Sequence, residues 1–265
     1  MPMDEKLRDR VALITAASEG LGFACARRLA EAGCRVAICG RRPTALEAAR
    51  AAIERETGTD AHGVPVDVTL PEELEGLVRE TIRRFDRLDI LVVNTGHVSY
   101  GDLGDLEERD WYAAFELVLM SAVRLSRLVV PHMRAQGMGD MVFITSGTVR
   151  EPAPRLVLSN VMRAGVAALA KSLSRELAPH NIRVNVVAPG YFDTGRVRRR
   201  IDEIARREGV AREAAALTVA GDVPVGRIGV ADELAEVVVF LAGRRAAFLT
   251  GSTIQIDGGS ARGLF

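Results

Sequence analysis

Two glycines, Gly20 and Gly22, stand where a predicted strand turns into a predicted helix. They close the run TAASEGLG, which begins at Thr15. Glycines at such a turn let the backbone approach a pyrophosphate, which the amide groups of the helix N-terminus can then bind. The chemistry that this spacing favours is dinucleotide binding, and an ordinary strand-to-helix turn is the alternative.

The basic residues restrict the acid–base chemistry of the chain. Of the 35 Lys and Arg residues, only Lys6 and Lys171 are lysines. Arginine stays protonated at any working pH, so it cannot serve as an amine nucleophile or as a general base. Amine-based catalysis therefore has few candidates in this sequence.

The composition disfavours several functional classes. The 265 residues carry 35 basic and 35 acidic side chains, so no net charge attracts nucleic acid or an anionic membrane. No apolar run approaches the roughly 18 residues of a membrane span, and the polar N-terminus is unlike a secretory signal. Three cysteines without CxxC spacing predict reduced thiols, and the four histidines form no HExxH metal pair. We expect a cytoplasmic protein with a small-molecule substrate and no metal, membrane or nucleic-acid partner.

Short apolar runs alternate with long amphipathic segments along the whole chain. Continuous apolar strands indicate burial on both faces, and their alternation with helices predicts right-handed βαβ units. The sequence therefore predicts one α/β domain over residues 1–265, a doubly wound parallel sheet with helices on both faces. The Arg-rich stretch of about 190–225 interrupts the alternation and is predicted to be a mobile insertion that covers the substrate. The predicted strands are Arg10–Thr15, Arg35–Cys39, Gly63–Val66, Asp89–Asn94, Asp140–Ser146, Arg183–Ala188 and Thr253–Ile256. The predicted helices span about 20–32, 43–56, 71–85, 107–135, 157–178 and 231–242.

Five ordered motifs make the chain resemble the short-chain dehydrogenase/reductase family. The family's TGxxxGxG is similar to the run from Thr15 to Gly22, with Ala16 in place of its first glycine. The other four are Asp67-Val68, Asn94-Thr95-Gly96, Pro189-Gly190 with Thr194, and Thr250-Gly251 with Asp257-Gly258-Gly259. The resemblance implies a Rossmann-type domain that binds a dinucleotide and transfers hydride. It implies that the cofactor-binding residues are Thr15, Ser18, Gly20, Leu21, Gly22, Asp67, Val68, Asn94, Gly96, Arg163, Pro189, Gly190 and Thr194.

The end of the second predicted strand bears on the choice of cofactor. In the family, an acidic residue there binds the 2′-hydroxyl of NAD and repels the 2′-phosphate of NADP. That position is Gly40 here, and Arg41 and Arg42, which follow it, can clamp a phosphate. The resemblance therefore implies NADP, with NAD as the second choice. Glu19 opposes this preference, because NADP-using relatives often carry a basic residue there, and solvated loop charges are the alternative for the arginines.

The catalytic positions depart from the family's pattern. Ser146 matches the family's serine, but Ser159 and Arg163 stand where its tyrosine and lysine would be, and Val118 replaces its helix asparagine. The chain is similar here to an atypical branch labelled 3-oxoacyl-carrier-protein reductases. A serine hydroxyl does not ionise usefully near neutral pH, whereas an arginine can stabilise a developing oxyanion. The resemblance implies a catalytic set of Ser146, Ser159 and Arg163, the last two sharing a helix face at i,i+4.

Other side chains are candidates for the missing proton donor or for substrate contacts. His97 follows Gly96 directly, and a histidine is a workable acid near neutral pH. Tyr100 and Tyr191 are further candidates, although an exposed loop position for His97 and packing for Tyr191 are the alternatives. Glu151 and Arg155 are candidate substrate contacts or ordinary loop residues.

Two functional interpretations stay open. One is an oxidoreductase that transfers hydride to or from a carbonyl, quinone or enone with a non-standard proton-transfer set. The other is a non-redox enzyme, or a regulatory or scaffold protein that keeps the nucleotide-binding fold. Because relatives pair through their long helices, we expect a homotetramer or homodimer. Apolar positions that support this recur at helical spacing: Leu117, Val118, Leu125 and Leu128. Arginines that could receive an acidic carrier protein or an anionic substrate, or form a solvated helix face, are Arg196, Arg198, Arg199, Arg200, Arg206 and Arg207.

Overall fold

A computed structural model of the chain describes residues 6–221 and 223–263, and the side chain of Arg196 lies outside this description. The strands are β1 Val11–Ile14, β2 Arg35–Gly40, β3 Ala61–Pro65, β4 Ile90–Val93, β5 Gly139–Ile144, β6 Ile182–Pro189 and β7 Thr253–Ile256. The helices are α1 Gly20–Glu31, α2 Pro43–Thr57, α3 Pro71–Phe85, α4 Glu108–Ala114, α5 Ser121–Gln136, α6 Val157–Leu177, α7 Gly195–Glu208, α8 Arg212–Ala220 and α9 Ala231–Ala242.

The seven strands form one sheet in the order β3-β2-β1-β4-β5-β6-β7, and every neighbouring pair is parallel. This confirms the predicted single-domain, Rossmann-type α/β fold. The strand order reverses direction between β1 and β4. Ligands of open parallel sheets bind at the carboxyl ends of the strands beside such a reversal. The topology therefore places the candidate site at the ends of β1, β4 and β5.

Both faces of the sheet are buried. Successive side chains of a strand point to opposite faces, so each strand contributes to two hydrophobic clusters. In β1, Ala12 and Ile14 face one cluster, which α1, α2 and α9 complete. Val11 and Leu13 face the other cluster, which α3, α5 and α6 complete. No helix within the described residues is long and apolar enough to cross a membrane.

The stretch of about 190–225, predicted to be a mobile insertion that covers the substrate, contains two helices, α7 and α8. Their packed residues, among them Val197, Ile201 and Ile204, make a small cluster of their own with α8. These apolar residues recur at helical spacing, but charged side chains, mostly arginines, fill the positions between them, and the helices predicted from the sequence therefore do not include this stretch. Val223, which follows α8, packs beside the end of β7, 2.6 Å from the position that a Cβ atom on Gly258 would occupy.

A π-helical turn, Phe115–Met120, joins α4 to α5, so the helix predicted over about 107–135 is helical throughout but changes its hydrogen-bond pattern in the middle. The Ser121 hydroxyl donates to the carbonyl of Leu117 at 2.6 Å and lies 3.4 Å from that of Val118. It thereby satisfies carbonyl groups that a π turn moves out of the α-helical pattern. Val118 itself is 2% exposed and packs in the core.

Candidate active site

The glycine-rich turn between β1 and α1 is closely packed against the end of β4. A Cβ atom on Gly22 would lie 2.5 Å from the Ala16 carbonyl oxygen and 2.8 Å from Nδ2 of Asn94. Only glycine fits there without moving backbone. Gly20 has φ +63°, a conformation that favours glycine. Both predicted glycines are therefore required by the shape of the turn.

Thr15 and Asn94 hold this turn in place. The Thr15 hydroxyl donates to the Asn94 carbonyl at 2.7 Å and accepts from the Asn94 amide at 3.0 Å. The Asn94 side chain donates to the Ala16 carbonyl at 3.1 Å. Two of the predicted cofactor residues thus link the ends of β1 and β4 and set the curvature of the turn between them.

Ala16, which replaces the first glycine of the family's motif, has φ +47°. A left-handed backbone costs a residue with a Cβ atom about 1–2 kcal/mol. The turn therefore keeps the shape that a glycine would allow and stores a small amount of strain. Strained residues of this kind are held by their surroundings, here by the Asn94 side chain.

The end of β2 forms the next wall of the site. A Cβ atom on Gly40 would lie 3.1 Å from the Ser18 hydroxyl oxygen, so a larger residue would crowd Ser18. Arg41 and Arg42 are exposed beside it. Arg42 donates to the carboxylate of Glu19 at 2.9 Å. The acidic residue that opposes NADP in the sequence therefore pairs with one of the two arginines that favour it.

The loops after β3 and β6 complete the nucleotide side. The Asp67 carboxylate accepts from the backbone and hydroxyl of Thr69, at 3.0 and 2.8 Å, and Val68 is buried beside it. Gly190 packs against the end of β7. A Cβ atom on Gly190 would lie 2.7 Å from the Cβ atom of Asp257. Thr194 lies against the glycine-rich turn. Its Cγ2 atom is 3.7 Å from the position that a Cβ atom on Gly20 would occupy.

The Arg163 side chain is 6% exposed and lies across the ends of two central strands. Nη1 donates to the carbonyl of Thr145 at 3.2 Å and lies 3.5 Å from that of Ile144, at the end of β5. Nη2 donates to the carbonyl of Gly96, which follows β4, at 3.3 Å. The guanidinium is thus a fixed positive charge that bridges the segments carrying Gly96 and Ser146.

The two candidate serines flank this charge. Ser146 directly follows Thr145, is half-buried, and accepts a long bond of 3.3 Å from the Thr148 amide. Ser159 is 4% exposed and lies on the buried face of α6 with Arg163, as their i,i+4 spacing predicts. The structure therefore gathers all three predicted catalytic residues at the ends of β4 and β5.

The candidate proton donors lie in different surroundings. Tyr100 and Tyr191 line one cavity of about 400 Å³, next to Leu156 at the start of α6. Tyr191 also packs against the α7–α8 cluster. His97 is exposed, beyond the residues that line this cavity. His97 nevertheless directly follows Gly96, whose carbonyl accepts from Arg163.

Other polar groups of the site were not singled out from the sequence. The Asn160 side chain clamps the backbone of Ala153, donating at 3.0 Å and accepting at 3.4 Å, and so holds the loop before α6. The buried hydroxyl oxygens of Thr95 and Thr148 have no hydrogen-bond partner in the described part of the chain. Buried hydroxyl groups are usually bonded, so these two mark places where a ligand can bind. Thr95 belongs to the Asn94-Thr95-Gly96 motif and Thr148 lies two residues after Ser146, but neither hydroxyl was itself predicted to be part of the site.

The Cys25 and Cys39 thiols do not contribute a nucleophile. Burial raises the pKa of the Cys39 thiol to about 12 and raises the pKa of the Cys25 thiol above its usual range. A thiol reacts as the thiolate, so both groups are inert near neutral pH. Among the described residues, no group of three or more His, Cys, Asp or Glu side chains could hold a metal ion.

Comparison with known proteins decides the family. A family model described as enoyl-(acyl carrier protein) reductase matches residues 15–261. Dehydrogenase/reductase SDR family member 4 of Bos taurus is 34% identical over 261 residues, which cover 98% of this chain and 88% of that protein. The chain belongs to the short-chain dehydrogenase/reductase family.

Solved structures of this family superpose closely on the chain. L-sorbose reductase from Gluconobacter frateurii, complexed with NADPH and L-sorbose, has a TM-score of 0.96 at 32% identity, covering 99% of this chain and 100% of that one. An NAD⁺-bound xylitol dehydrogenase has a TM-score of 0.89 at 30% identity, covering 96% and 100%. The relatives of this short-chain dehydrogenase/reductase chain are oxidoreductases.

The residues present fit the dinucleotide that this family binds. Gly22 leaves no room for a side chain, Gly20 exposes the N-terminus of α1, and Thr95 keeps an orphaned buried hydroxyl at the end of β4. A helix N-terminus with free amide groups is suited to a pyrophosphate. This part of the domain therefore has the features of a nucleotide-binding site.

Proposed function

We propose that the protein is an NADP(H)-dependent oxidoreductase that reduces conjugated or otherwise acidified carbonyl compounds, such as quinones and enones. The observation that carries this proposal is the buried guanidinium of Arg163, which lies across the ends of β4 and β5 where the family has a lysine. It adjoins a glycine-rich turn with the shape of a dinucleotide site. The cytoplasmic location expected from the composition stays a prediction.

The chemistry of the products supports this choice of substrate. NADPH, when bound, supplies a hydride to the family's reactions. Reduction of a simple ketone gives an alkoxide, which needs a positioned acid at once. Reduction of a quinone or enone gives a phenolate or enolate, which needs stabilisation of negative charge. Ser146 and Ser159 can donate hydrogen bonds, and Arg163 supplies a positive charge that cannot be neutralised near pH 7.

The proposal predicts a ranking of hydride acceptors. We expect NADPH oxidation with quinones and enones, and poor turnover of simple aliphatic ketones and acetoacetyl thioesters, since these lack an acidified product. Loss of absorbance at 340 nm across such a panel measures the ranking. Fast turnover of the thioester would contradict the proposal. Binding of NADPH without oxidation by any acceptor would favour the non-redox alternative.

The Glu19–Arg42 pair gives a test of cofactor preference. Glu19→Gln removes a carboxylate near the proposed 2′-phosphate position and releases Arg42 from its 2.9 Å contact. We expect the dissociation constant for NADPH to fall about two- to fivefold, the size of an exposed ion pair, while that for NADH stays unchanged. Fluorescence titration of both nucleotides measures the effect.

Two further variants calibrate this result. Glu56→Gln removes an exposed carboxylate that pairs with Arg55 on α2, and we expect it to change neither constant. Arg41→Asp places an acid beside the end of β2 and should reverse the preference in favour of NADH. Equal dissociation constants for the two nucleotides in the parent protein would rule out the NADP assignment.

We expect the protein to form a homotetramer, or else a homodimer. The apolar positions that support it in the sequence lie inside one chain: Val118 and Leu125 are 2% and 0% exposed, and Leu117 and Leu128 pack against the same core. The remaining support is the exposure of Tyr112 and Phe115 beside α5 and of Val161 on α6. Exposed apolar patches on such helices mark association surfaces. Light scattering at micromolar concentration measures the mass, and the mass of one chain would contradict the expectation.

A further inference from the structure

One cavity of the molecule lies between the loop after β4, the loop before α6, and α7. Its volume is about 400 Å³, within the range of small-molecule sites. Aromatic rings contribute through Tyr100 and Tyr191, and Leu156 contributes from the start of α6. Ser159 lies about one turn after Leu156 on that helix, and it connects the cavity wall to the candidate catalytic residues.

Three arginines and one glutamate line this cavity, which makes its lining positive. Arg200, Glu203 and Arg207 come from one face of α7, where the i, i+3 and i+7 spacing brings them together with Ile204. Arg155 faces them from the loop before α6. The arginines of α7, for which the sequence also allowed a solvated helix face, therefore include two, Arg200 and Arg207, that line a cavity.

The three arginines differ in how far their charges are already compensated. Arg207 donates to Glu208 at 2.8 Å. Arg155 lies 3.6 and 3.5 Å from Asp102 and Asp105, longer than the 2.7–2.9 Å of a strong charge-assisted bond. Within the described residues, Arg200 has no ion pair to 4.0 Å. Of the three arginines, Arg200 thus has the positive charge that is least compensated by a carboxylate, and it is best able to bind an anionic ligand.

The backbone at Arg155 is held in a costly conformation. Its φ is +58°, which costs a non-glycine residue about 1–2 kcal/mol. The Gly101 amide donates to the Arg155 carbonyl at 2.9 Å, and Gly101 forms a β-bridge with Leu156. Strain that is kept in place by such contacts occurs at ligand-binding positions, and here it is at a residue that lines the cavity.

We propose that this cavity binds the anionic substituent, a carboxylate, sulfonate or phosphate, of a flat carbonyl substrate, with Arg200 as its principal contact and Arg155 and Arg207 beside it. The tyrosines give the flat part of such a molecule an aromatic surface. This inference rests on the proposed function, because it assigns the cavity to the substrate of that reaction.

A matched pair of quinones tests the inference. 9,10-Phenanthrenequinone and its 2-sulfonate share the reacting carbonyl groups and differ by one anionic group. We expect Arg200→Ala to lower kcat/KM for the sulfonate about 10- to 100-fold, the size of a hydrogen bond to a charged group, with less than a twofold change for the neutral quinone. The matched control is Arg199→Ala, which removes the neighbouring charge on α7 from outside the cavity, and it should leave both values unchanged.

Calorimetry separates failure of this inference from failure of the proposed function. The sulfonate is titrated into the protein saturated with NADP⁺, so that no turnover is needed. We expect binding that Arg200→Ala weakens by the same factor and Arg199→Ala does not. Equal losses in both variants, or no loss in either, would overturn the subsite. Binding that depends on Arg200, with neither quinone reduced, would uphold the subsite and overturn the proposed reaction.

Discussion

Asp140→Asn is expected to lower the free energy of unfolding by about 3–5 kcal/mol, because it leaves buried arginines without their negatively charged partner. Asp140 is the second residue of β5, at the amino-terminal end of the strands and so opposite the candidate site, and it is 2% exposed. Its carboxylate lies 2.6 Å from Arg10 and 2.6 Å from Arg183, and 3.2 Å from Arg244. One carboxylate therefore serves three guanidinium groups.

The same arginines close the end of a helix. Arg10 donates to the Ala242 carbonyl at 2.8 Å, and Arg183 donates to that of Leu241 at 2.5 Å, both in the last turn of α9. Burial lowers the pKa of Arg183, and the neighbouring carboxylate of Asp140 opposes that shift. Without the carboxylate, the cost of burying these charges is no longer offset, and the cap of α9 is weakened with them.

Urea unfolding at neutral pH measures the Asp140→Asn effect. The control is Glu47→Gln, which breaks an exposed pair with Arg50 of 2.6 Å and should cost less than about 1 kcal/mol. Because Asp140 and its arginines lie at the amino-terminal ends of the strands, away from the candidate site, activity per folded molecule should be unchanged. A loss of less than about 1 kcal/mol for Asp140→Asn would show that the arginines find other partners.

The fold was predictable because each local signal agreed with it. Apolar runs marked strands buried on both faces, and Gly22 stands where any side chain would meet the Ala16 carbonyl and Asn94. Such constraints leave a direct trace in residue type, because only glycine fits the space. The shared buried face of α6 for Ser159 and Arg163 was likewise predictable from their spacing, while their part in catalysis stays a prediction.

Contacts between distant segments were not predictable. Spacing placed Arg163 on the buried face, but nothing in its neighbours indicated that its guanidinium would bind the carbonyls of two strand ends. The pair between Glu19 and Arg42 joins residues 23 apart in sequence. In α7, long charged side chains obscured the apolar spacing of Val197, Ile201 and Ile204. Long flexible side chains can reach several partners, and only tertiary packing selects among them.

Arg163→Ala is expected to lower kcat for the preferred quinone about 100- to 1000-fold, the usual cost of removing a group that stabilises a developing oxyanion. The guanidinium does two things at once. It places a permanent charge beside Ser146 and Ser159, and it ties the carbonyl of Gly96 to that of Thr145. A change of about 1 Å in the position of reacting groups costs as much as the loss of a charge.

Arg163→Lys distinguishes the effect of the positive charge from the effect of the hydrogen bonds that join the ends of β4 and β5. An ammonium group keeps the charge, but as a compact donor it does not span two strand ends in the way that a planar guanidinium does. We expect the lysine variant to recover less than about a tenth of the lost activity, since positioning of the reacting groups is lost in both variants. Added guanidinium ion should raise the activity of Arg163→Ala and leave that of Arg163→Lys unchanged, because only the alanine variant leaves a vacant space for it.

Two measurements show whether the effect is chemical or a loss of folding. Arg175→Ala removes an exposed arginine from the same helix, and it should retain the activity of the parent protein. Urea unfolding of Arg163→Ala gives the folded fraction by which its kcat is corrected. We expect the corrected kcat to stay low while the KM for NADPH changes less than about tenfold, as for a group whose interaction is made in the transition state. An alanine variant with the activity of the parent would exclude Arg163 from the reaction. A lysine variant with full activity would assign the effect to charge alone and remove the bridge between β4 and β5 from the mechanism.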